Sequence, residues 1–221
     1  MSGIATSTHF RILENIPVSS WCLSRGKRVF DVAFAAALLI LASPLMVLAA
    51  LLIKATSRGP ILFRQSRVGQ YGRVFSLLKF RSMAVHSPGG SNLTRSGDPR
   101  VTKVGRILRS TKVDELPQMY NVLLGDLSVV GPRPDMPEFI DTLDGDLRSV
   151  LLLKPGVTSV VSVEFRNEES VLSCVPPDQL RSFYINVLLP DKVARDLKYA
   201  RGAGLGSDLR VIARTAAALL S

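Results

Sequence analysis

Asp114 and Glu115 stand side by side in the run Leu108-Arg109-Ser110-Thr111-Lys112-Val113-Asp114-Glu115-Leu116-Pro117-Gln118, just after a stripe of cations. A second basic motif, Val130-Gly131-Pro132-Arg133-Pro134, follows closely. Nearby positive charge favours the ionised carboxylate, so the pair is expected to stay charged. An ionised carboxylate is a nucleophile or an Mg²⁺ ligand, and the surrounding Arg and Lys suit a phosphate-bearing substrate. The chemistry these residues point to is phosphoryl transfer.

Taken singly, each feature has a plainer explanation. Asp114 and Glu115 fit a helix N-cap and first turn, the cations fit a solvated helix face, and Gly131-Pro132-Arg133-Pro134 fits a stiff turn. Their convergence with a long apolar segment is what gives them meaning. That segment, residues 32–53, is 22 residues without a charge. At roughly 1.5 Å per residue it is long enough to cross about 30 Å of hydrocarbon. Ser43-Pro44 lies at its centre, where proline removes a backbone hydrogen bond. Basic residues flank both ends, Arg25, Lys27 and Arg28 before it and Lys54 and Arg58 after it. A spanning helix usually shows Lys/Arg bias to one side. Entry into one leaflet, a bend at Ser43-Pro44 and return would keep both basic ends at an anionic surface. A kinked single-pass helix is the alternative, because proline is tolerated inside membranes.

The charge of the 221-residue chain is unevenly spread: residues 58–133 hold 13 basic and 4 acidic side chains, while residues 134–221 hold 10 and 12. A concentration of this kind reads as a site for anions. Nucleic acid is not the expected partner, because aromatics are sparse in the basic segment and no recognised binding motif is present. Cys22 and Cys174 are too few and too far apart for a disulfide framework or a zinc site, and His9 and His86 have no partner at metal-ligand spacing. Any metal is therefore expected to be a hard cation on oxygen, such as Mg²⁺. A cleaved signal peptide is not expected at the polar N-terminus.

The elements that must position the acidic pair follow in order. Ile61 to Gln65 and Val74 to Leu78 read as a β-hairpin around the Gly69 to Gly72 turn. Ala84 to Arg100 reads as a loop. Thr102 should cap a short helix through Ser110, with Lys103, Arg106 and Arg109 on one face. The next helix is expected to start near Asp114 and end at Gly125, with Pro117 in its first turn. Beyond Pro134 the pattern is amphipathic helix with breaks. One stripe is Met136, Phe139, Ile140 and Leu143; another is Leu180, Phe183, Tyr184, Val187 and Leu188, bounded by Pro177 and Pro190. The fold class is α+β, mainly helical with a small β-hairpin. Three regions are expected: an N-terminal segment 1–26, a re-entrant membrane helix hairpin 27–58 and a catalytic domain 59–221.

Lys79-Phe80-Arg81-Ser82-Met83, Asp114-Glu115-Leu116-Pro117-Gln118, Asn121-Val122-Leu123, Gly125-Asp126-Leu127-Ser128 and Gly131-Pro132-Arg133-Pro134 occur in one order and spacing. Together they resemble the bacterial sugar transferases, the monotopic polyprenyl-phosphate phosphoglycosyl transferases. The resemblance implies a re-entrant hairpin bent at Ser43-Pro44 on the cytoplasmic face of the bacterial inner membrane. It implies that Asp114 attacks the β-phosphate of a UDP-sugar, releases UMP and hands the phospho-sugar to polyprenyl phosphate. Asp114 and Glu115 would hold Mg²⁺, and Arg109, Arg133, Lys79 and Arg81 would bind substrate phosphate. The pattern departs from the family over residues 159–169, a region that could shape the sugar pocket. A non-enzymatic membrane adaptor binding anionic lipid is the alternative; it would need the cations but not Asp114 or Glu115.

Overall fold

The computed structural model describes residues 18–84, 94 and 97–220. The 1–17 part of the N-terminal segment, His9, His86 and most of the expected 84–100 loop lie outside the described residues.

Helix α1 spans Arg25–Thr56. Ser24 caps it by accepting from the Lys27 N–H at 3.0 Å. The helix runs continuously through Pro44, where a break was expected, and the Ser43 hydroxyl donates to the Ile40 carbonyl one turn back. The centre is bare, with Ile40 72% and Leu41 78% exposed. The two ends are docked on the rest of the protein. Near the start, Ala35 is fully buried, and the Arg28 guanidinium donates to the carbonyls of Val122 and Leu123 at 2.6 and 2.8 Å. Near the finish, Ala49 and Ile53 pack against Phe80 and Leu108. Among the described residues α1 is the one helix long and apolar enough to cross a membrane.

The expected hairpin is present and longer than its apolar runs. Strands β1 (Leu62–Val68) and β2 (Val74–Phe80) pair antiparallel from Leu62↔Phe80 to Val68↔Val74. The chain then reaches α2 (Lys103–Ser110), where Thr102 accepts from Gly105 N–H as the sequence anticipates. Gly105 is required: a Cβ there would lie 2.0 Å from the Ser82 carbonyl oxygen.

A correction concerns the next element. Asp114 and Glu115 do not open a helix; they sit on a separate 3-10 turn, Val113–Glu115, and α3 runs only from Gln118 to Leu124. Pro117 separates the two. Gly125 ends α3 at φ 94°, a left-handed conformation that glycine adopts without strain. Buried Asn121 fastens α3 to the hairpin, accepting from Leu78 N–H at 3.0 Å and donating to the Ser76 carbonyl at 2.8 Å. It thereby satisfies backbone groups that a further strand would otherwise occupy.

A second sheet has no counterpart in the sequence reading. Strand β3 (Ser128–Val130) pairs parallel with β4 (Gly156–Thr158). Between them lie α4 (Pro137–Ile140) and a 3-10 segment, Gly145–Leu152. Met136, Phe139, Ile140 and Leu143 are all buried, so that stripe is core although its helix is a single turn. Helices α5 (Val160–Glu164) and α6 (Glu168–Ser173) follow. The second stripe does not stop at Pro190: α7 (Leu180–Phe183) passes through a π turn, Tyr184–Leu188, into α8 (Leu189–Arg201). Pro190 is tolerated because it falls in the first turn of α8, and the wider π turn takes up the mismatch. The final helix, α9 (Leu205–Leu220), buries Val211 against the hairpin, α1 and β3 and leaves Leu205, Leu209 and Leu219 exposed.

Candidate active site

The 3-10 turn carries the acidic pair against the exit of β2 and the Gly131-Pro132-Arg133-Pro134 loop. Glu115 Oε1 accepts from Lys79 Nζ at 2.8 Å and lies 3.7 Å from Arg133 Nη2. Burial alone would raise the Glu115 carboxyl, but Lys79, Arg133 and Lys112 override it and hold the group well below the usual carboxylate range. Lys79 is itself pulled down by burial, against the opposing attraction of Glu115.

Asp114 behaves differently, and here the expectation of a firmly ionised pair is corrected. Its residue is 5% exposed, and burial, followed by repulsion from Glu115, raises its carboxyl to about 6 despite the attraction of Lys79, Lys112 and Arg109. Its Oδ1 is buried and has no hydrogen-bond partner among the described residues. A buried, unsatisfied carboxylate oxygen is costly and needs an explanation. One carboxylate thus has an oxygen held between two cations, while its neighbour keeps a buried oxygen without a partner.

The other expected phosphate ligands are placed as follows. Arg109, on the last turn of α2, is ion-paired with Glu169 of α6. Arg81 is buried and donates through Nη2 to the Ser57 carbonyl and hydroxyl at 2.9 and 2.7 Å, so it fastens the end of α1. Lys27, expected at a lipid surface, is turned inward: its Nζ lies 3.0 Å from both Asp31 Oδ1 and Asp208 Oδ2.

The loop bearing Arg133 is fixed by neighbours that spacing alone does not reveal. Gly156 N–H donates to the Pro132 carbonyl at 2.8 Å, and Gly131 N–H to the Thr158 carbonyl at 3.1 Å. A Cβ on Gly156 would come within 2.1 Å of Gly131 N, so the Lys154-Pro155-Gly156 run must end in glycine. Asp196 of α8 accepts from the Arg133 backbone N–H at 3.2 Å, and its burial raises its carboxyl to about 7. Next to Arg133, Asp135 accepts from the buried Tyr184 hydroxyl at 2.9 Å, and Lys192 joins Tyr184 to Glu168. The available signal for Lys192 and Asp196 was their position in the apolar stripe of α8, between Leu189, Val193 and Leu197.

For a divalent cation the fit is partial but real. No group of three or more His, Cys, Asp or Glu side chains forms a cage among the described residues. Mg²⁺ characteristically uses one or two carboxylates and completes its shell with substrate phosphate and water. The adjacent Asp114 and Glu115 carboxylates fit that donor set and would be the residues to hold such a cation.

Two carboxylates of opposed character, the cations gathered around them and an adjoining apolar helix form a site with the charge pattern that a phosphorylated substrate would require. A family model described as bacterial sugar transferase matches residues 22–221. Over 210 residues the chain is 38% identical to UDP-glucose:undecaprenyl-phosphate glucose-1-phosphate transferase of Caulobacter vibrioides, covering 93% of this chain and 73% of that protein. It is 42% identical over 141 residues to UDP-N-acetylgalactosamine-undecaprenyl-phosphate N-acetylgalactosaminephosphotransferase of Aeromonas hydrophila, covering 62% of this chain and 33% of that one. With UDP-glucose:undecaprenyl-phosphate glucose-1-phosphate transferase of Klebsiella pneumoniae it shares 36% identity over 191 residues, 84% of this chain and 38% of the relative. The match thus spans little more than a third of the Aeromonas and Klebsiella proteins. The chain belongs to the bacterial sugar transferase family; it is a transferase enzyme.

Proposed function

We propose that this protein transfers a phospho-sugar from a UDP-sugar to undecaprenyl phosphate, the first membrane step of a bacterial glycan, by two displacements at Asp114. The observation that carries the reading is Asp114 Oδ1, buried and unpartnered beside a Glu115 already balanced by Lys79 and Arg133. A desolvated carboxylate is more basic and hence a better nucleophile, and with a pKa of about 6 it is still mostly ionised at neutral pH.

In the first displacement Oδ1 attacks the β-phosphorus of the donor. The bond to the bridging oxygen breaks, and UMP leaves with its electron pair. In the second, an oxygen of undecaprenyl phosphate attacks the same phosphorus, the acyl–phosphate bond breaks, and Asp114 returns as a carboxylate. Neither step needs a proton when carboxylate and lipid phosphate are ionised. Glu115 cannot substitute as nucleophile while its charge is engaged by two cations. Its role is to hold Lys79 and Arg133 in place and, with Asp114, to bind Mg²⁺. When bound, that cation neutralises the donor diphosphate. Arg133 Nη2, only loosely approached by Glu115 at 3.7 Å, has donors left for a phosphate fork, and Arg109 reaches phosphate by leaving Glu169.

A lipid acceptor requires a membrane, and α1 supplies the attachment. Its two ends dock on one catalytic body, through Arg28 and through Arg81 with Ser57, while its apolar centre is exposed. That arrangement favours a helix that dips into the cytoplasmic leaflet around Pro44 and returns. An anionic-lipid adaptor would use the cations but has no use for a buried, unpartnered carboxylate.

The test is UMP release by purified protein given Mg²⁺ and a panel of UDP-sugars. Without acceptor, one burst of UMP per site and a mass gain of one phospho-sugar are expected, and both should vanish in Asp114→Asn. Wild-type release that requires undecaprenyl phosphate, with no adduct trapped, would instead support direct transfer.

A further inference from the structure

Lys112 stands in a conformation that its residue type does not favour. Its backbone is left-handed, φ 56° and ψ 14°, at the position just beyond the end of α2. Glycine or asparagine is the usual occupant of such a site, because a Cβ crowds the backbone there. A lysine placed there carries strain, and strained residues concentrate where a side chain has work at a site.

The position is close to the chemistry. The Lys112 carbonyl accepts the Glu115 N–H at 3.1 Å, closing the turn that carries both carboxylates. Only Val113 separates it from Asp114, and its charge acts on Asp114 and Glu115 alike. The side chain is exposed, and among the described residues its ammonium makes no hydrogen bond or ion pair. Of the other cations that act on the two carboxylates, Lys79 and Arg133 lie against Glu115 inside the protein, and Arg109 is paired with Glu169. Lys112 is therefore an exposed cation next to the carboxylate turn that can bind an incoming anion without first leaving an internal partner.

We infer that Lys112 is a phosphate-binding residue of this site. The inference rests on the transfer reaction proposed above, whose two substrates both present phosphate: the donor diphosphate and the lipid monophosphate. Binding a rigid turn on one side and a free ammonium on the other, it places the charge beside the carboxylates without adding to their burial.

Equilibrium binding tests this without requiring turnover. The full chain in lipid nanodiscs with Mg²⁺ is titrated with UDP in one arm and with undecaprenyl phosphate in the other. Lys112→Asn keeps a residue that tolerates the left-handed turn and removes the charge; Lys112→Arg keeps the charge. Lys112→Asn should weaken at least one arm about tenfold, the worth of one charge-assisted contact, and Lys112→Arg should restore most of it. The weakened arm identifies which phosphate Lys112 holds, and its dependence on salt should flatten in Lys112→Asn, a change that a purely structural role would not produce. Thermal stability of Lys112→Asn should equal or exceed wild type, since strain is relieved. Losses below about fivefold in both arms, or wild-type protein that binds neither probe, would overturn the inference. Intact binding by wild type without UMP release would count against the transfer reaction while leaving the role of Lys112 standing.

Discussion

Replacing Lys79 with methionine removes the cation 2.8 Å from Glu115 Oε1 while keeping most of the side-chain volume. Glu115 then faces Arg133 alone, 3.7 Å away. The two side chains are 20% and 14% exposed, so water screens the pair only in part. Breaking a buried pair by removing one partner typically costs about 3–5 kcal/mol, and the second cation and residual exposure put this case nearer about 2–3 kcal/mol. Glu115→Gln should cost a similar amount, because it leaves Lys79 charged and without its carboxylate. The double variant removes both charges together, so its loss should fall short of the sum of the single losses by about 1.5 kcal/mol or more. Urea unfolding in detergent at pH 7, followed through Trp21, the chain's single tryptophan, gives all four stabilities. The pH dependence supplies an independent check. Glu115 is held low by its cations, so its contribution is full above its unfolded value of about 4.3 and is lost as pH falls through its lower folded value. In Lys79→Met that loss should begin at higher pH. Single losses that add to within about 0.5 kcal/mol would refute the coupling on which the site's asymmetry rests.

Asp114 has the opposite sign. Its folded carboxyl is raised to about 6, so folding favours the protonated form, and stability falls as pH rises from about 4 to 6. In magnesium-free buffer Asp114→Asn should therefore gain about 2–3 kcal/mol over wild type at pH 7 and almost nothing at pH 4, read as melting temperatures; equal gains at both would contradict the burial argument. UMP release by wild type should decline as pH drops through about 6. Gly105→Ala forces a Cβ to 2.0 Å from a backbone oxygen and should destabilise by about 3 kcal/mol or more, visible as loss of folded protein on size-exclusion chromatography. For topology, single cysteines at positions 25 and 58 should both resist labelling from outside intact cells. Pro44→Leu should shift the protein toward a spanning form in which one of them reacts.

Much of the positioning frame was legible because it depends on local rules. Thr102 caps α2, Gly125 ends α3, and the apolar runs around Gly69 form a hairpin, each through contacts within a few residues. The gathering of Glu115 with Lys79 and Arg133 was anticipated from residue types and motif order, and the structure brings the three together. The difference between the two carboxylates was not, because it arises from burial and from which oxygen Lys79 happens to reach. Strands β3 and β4 are three residues each and are separated by 25 residues, too short for any periodicity and too distant for any turn signal. Asp196 and Lys192 lie beyond Pro190, where the sequence reading ended its apolar stripe, and only the fold shows that both are buried. Lys27 was read as a lipid-facing anchor because its partner, Asp208, lies at the far end of the chain.

That last pairing bears on how the protein is made. Asp208 belongs to α9, the final helix, and its carboxylate receives Lys27, the Trp21 indole N–H at 2.9 Å and the Tyr199 hydroxyl at 2.6 Å. Asp31, one turn along from Lys27, accepts from Val129 N–H in the middle of the catalytic body. The apolar helix leaves the ribosome well before the carboxylate that closes over its base. That part of the core can therefore close only after the apolar helix has been made, and a chain lacking its first 56 residues would lose the wall that Ala35, Asp31 and Lys27 supply to the rest of the protein.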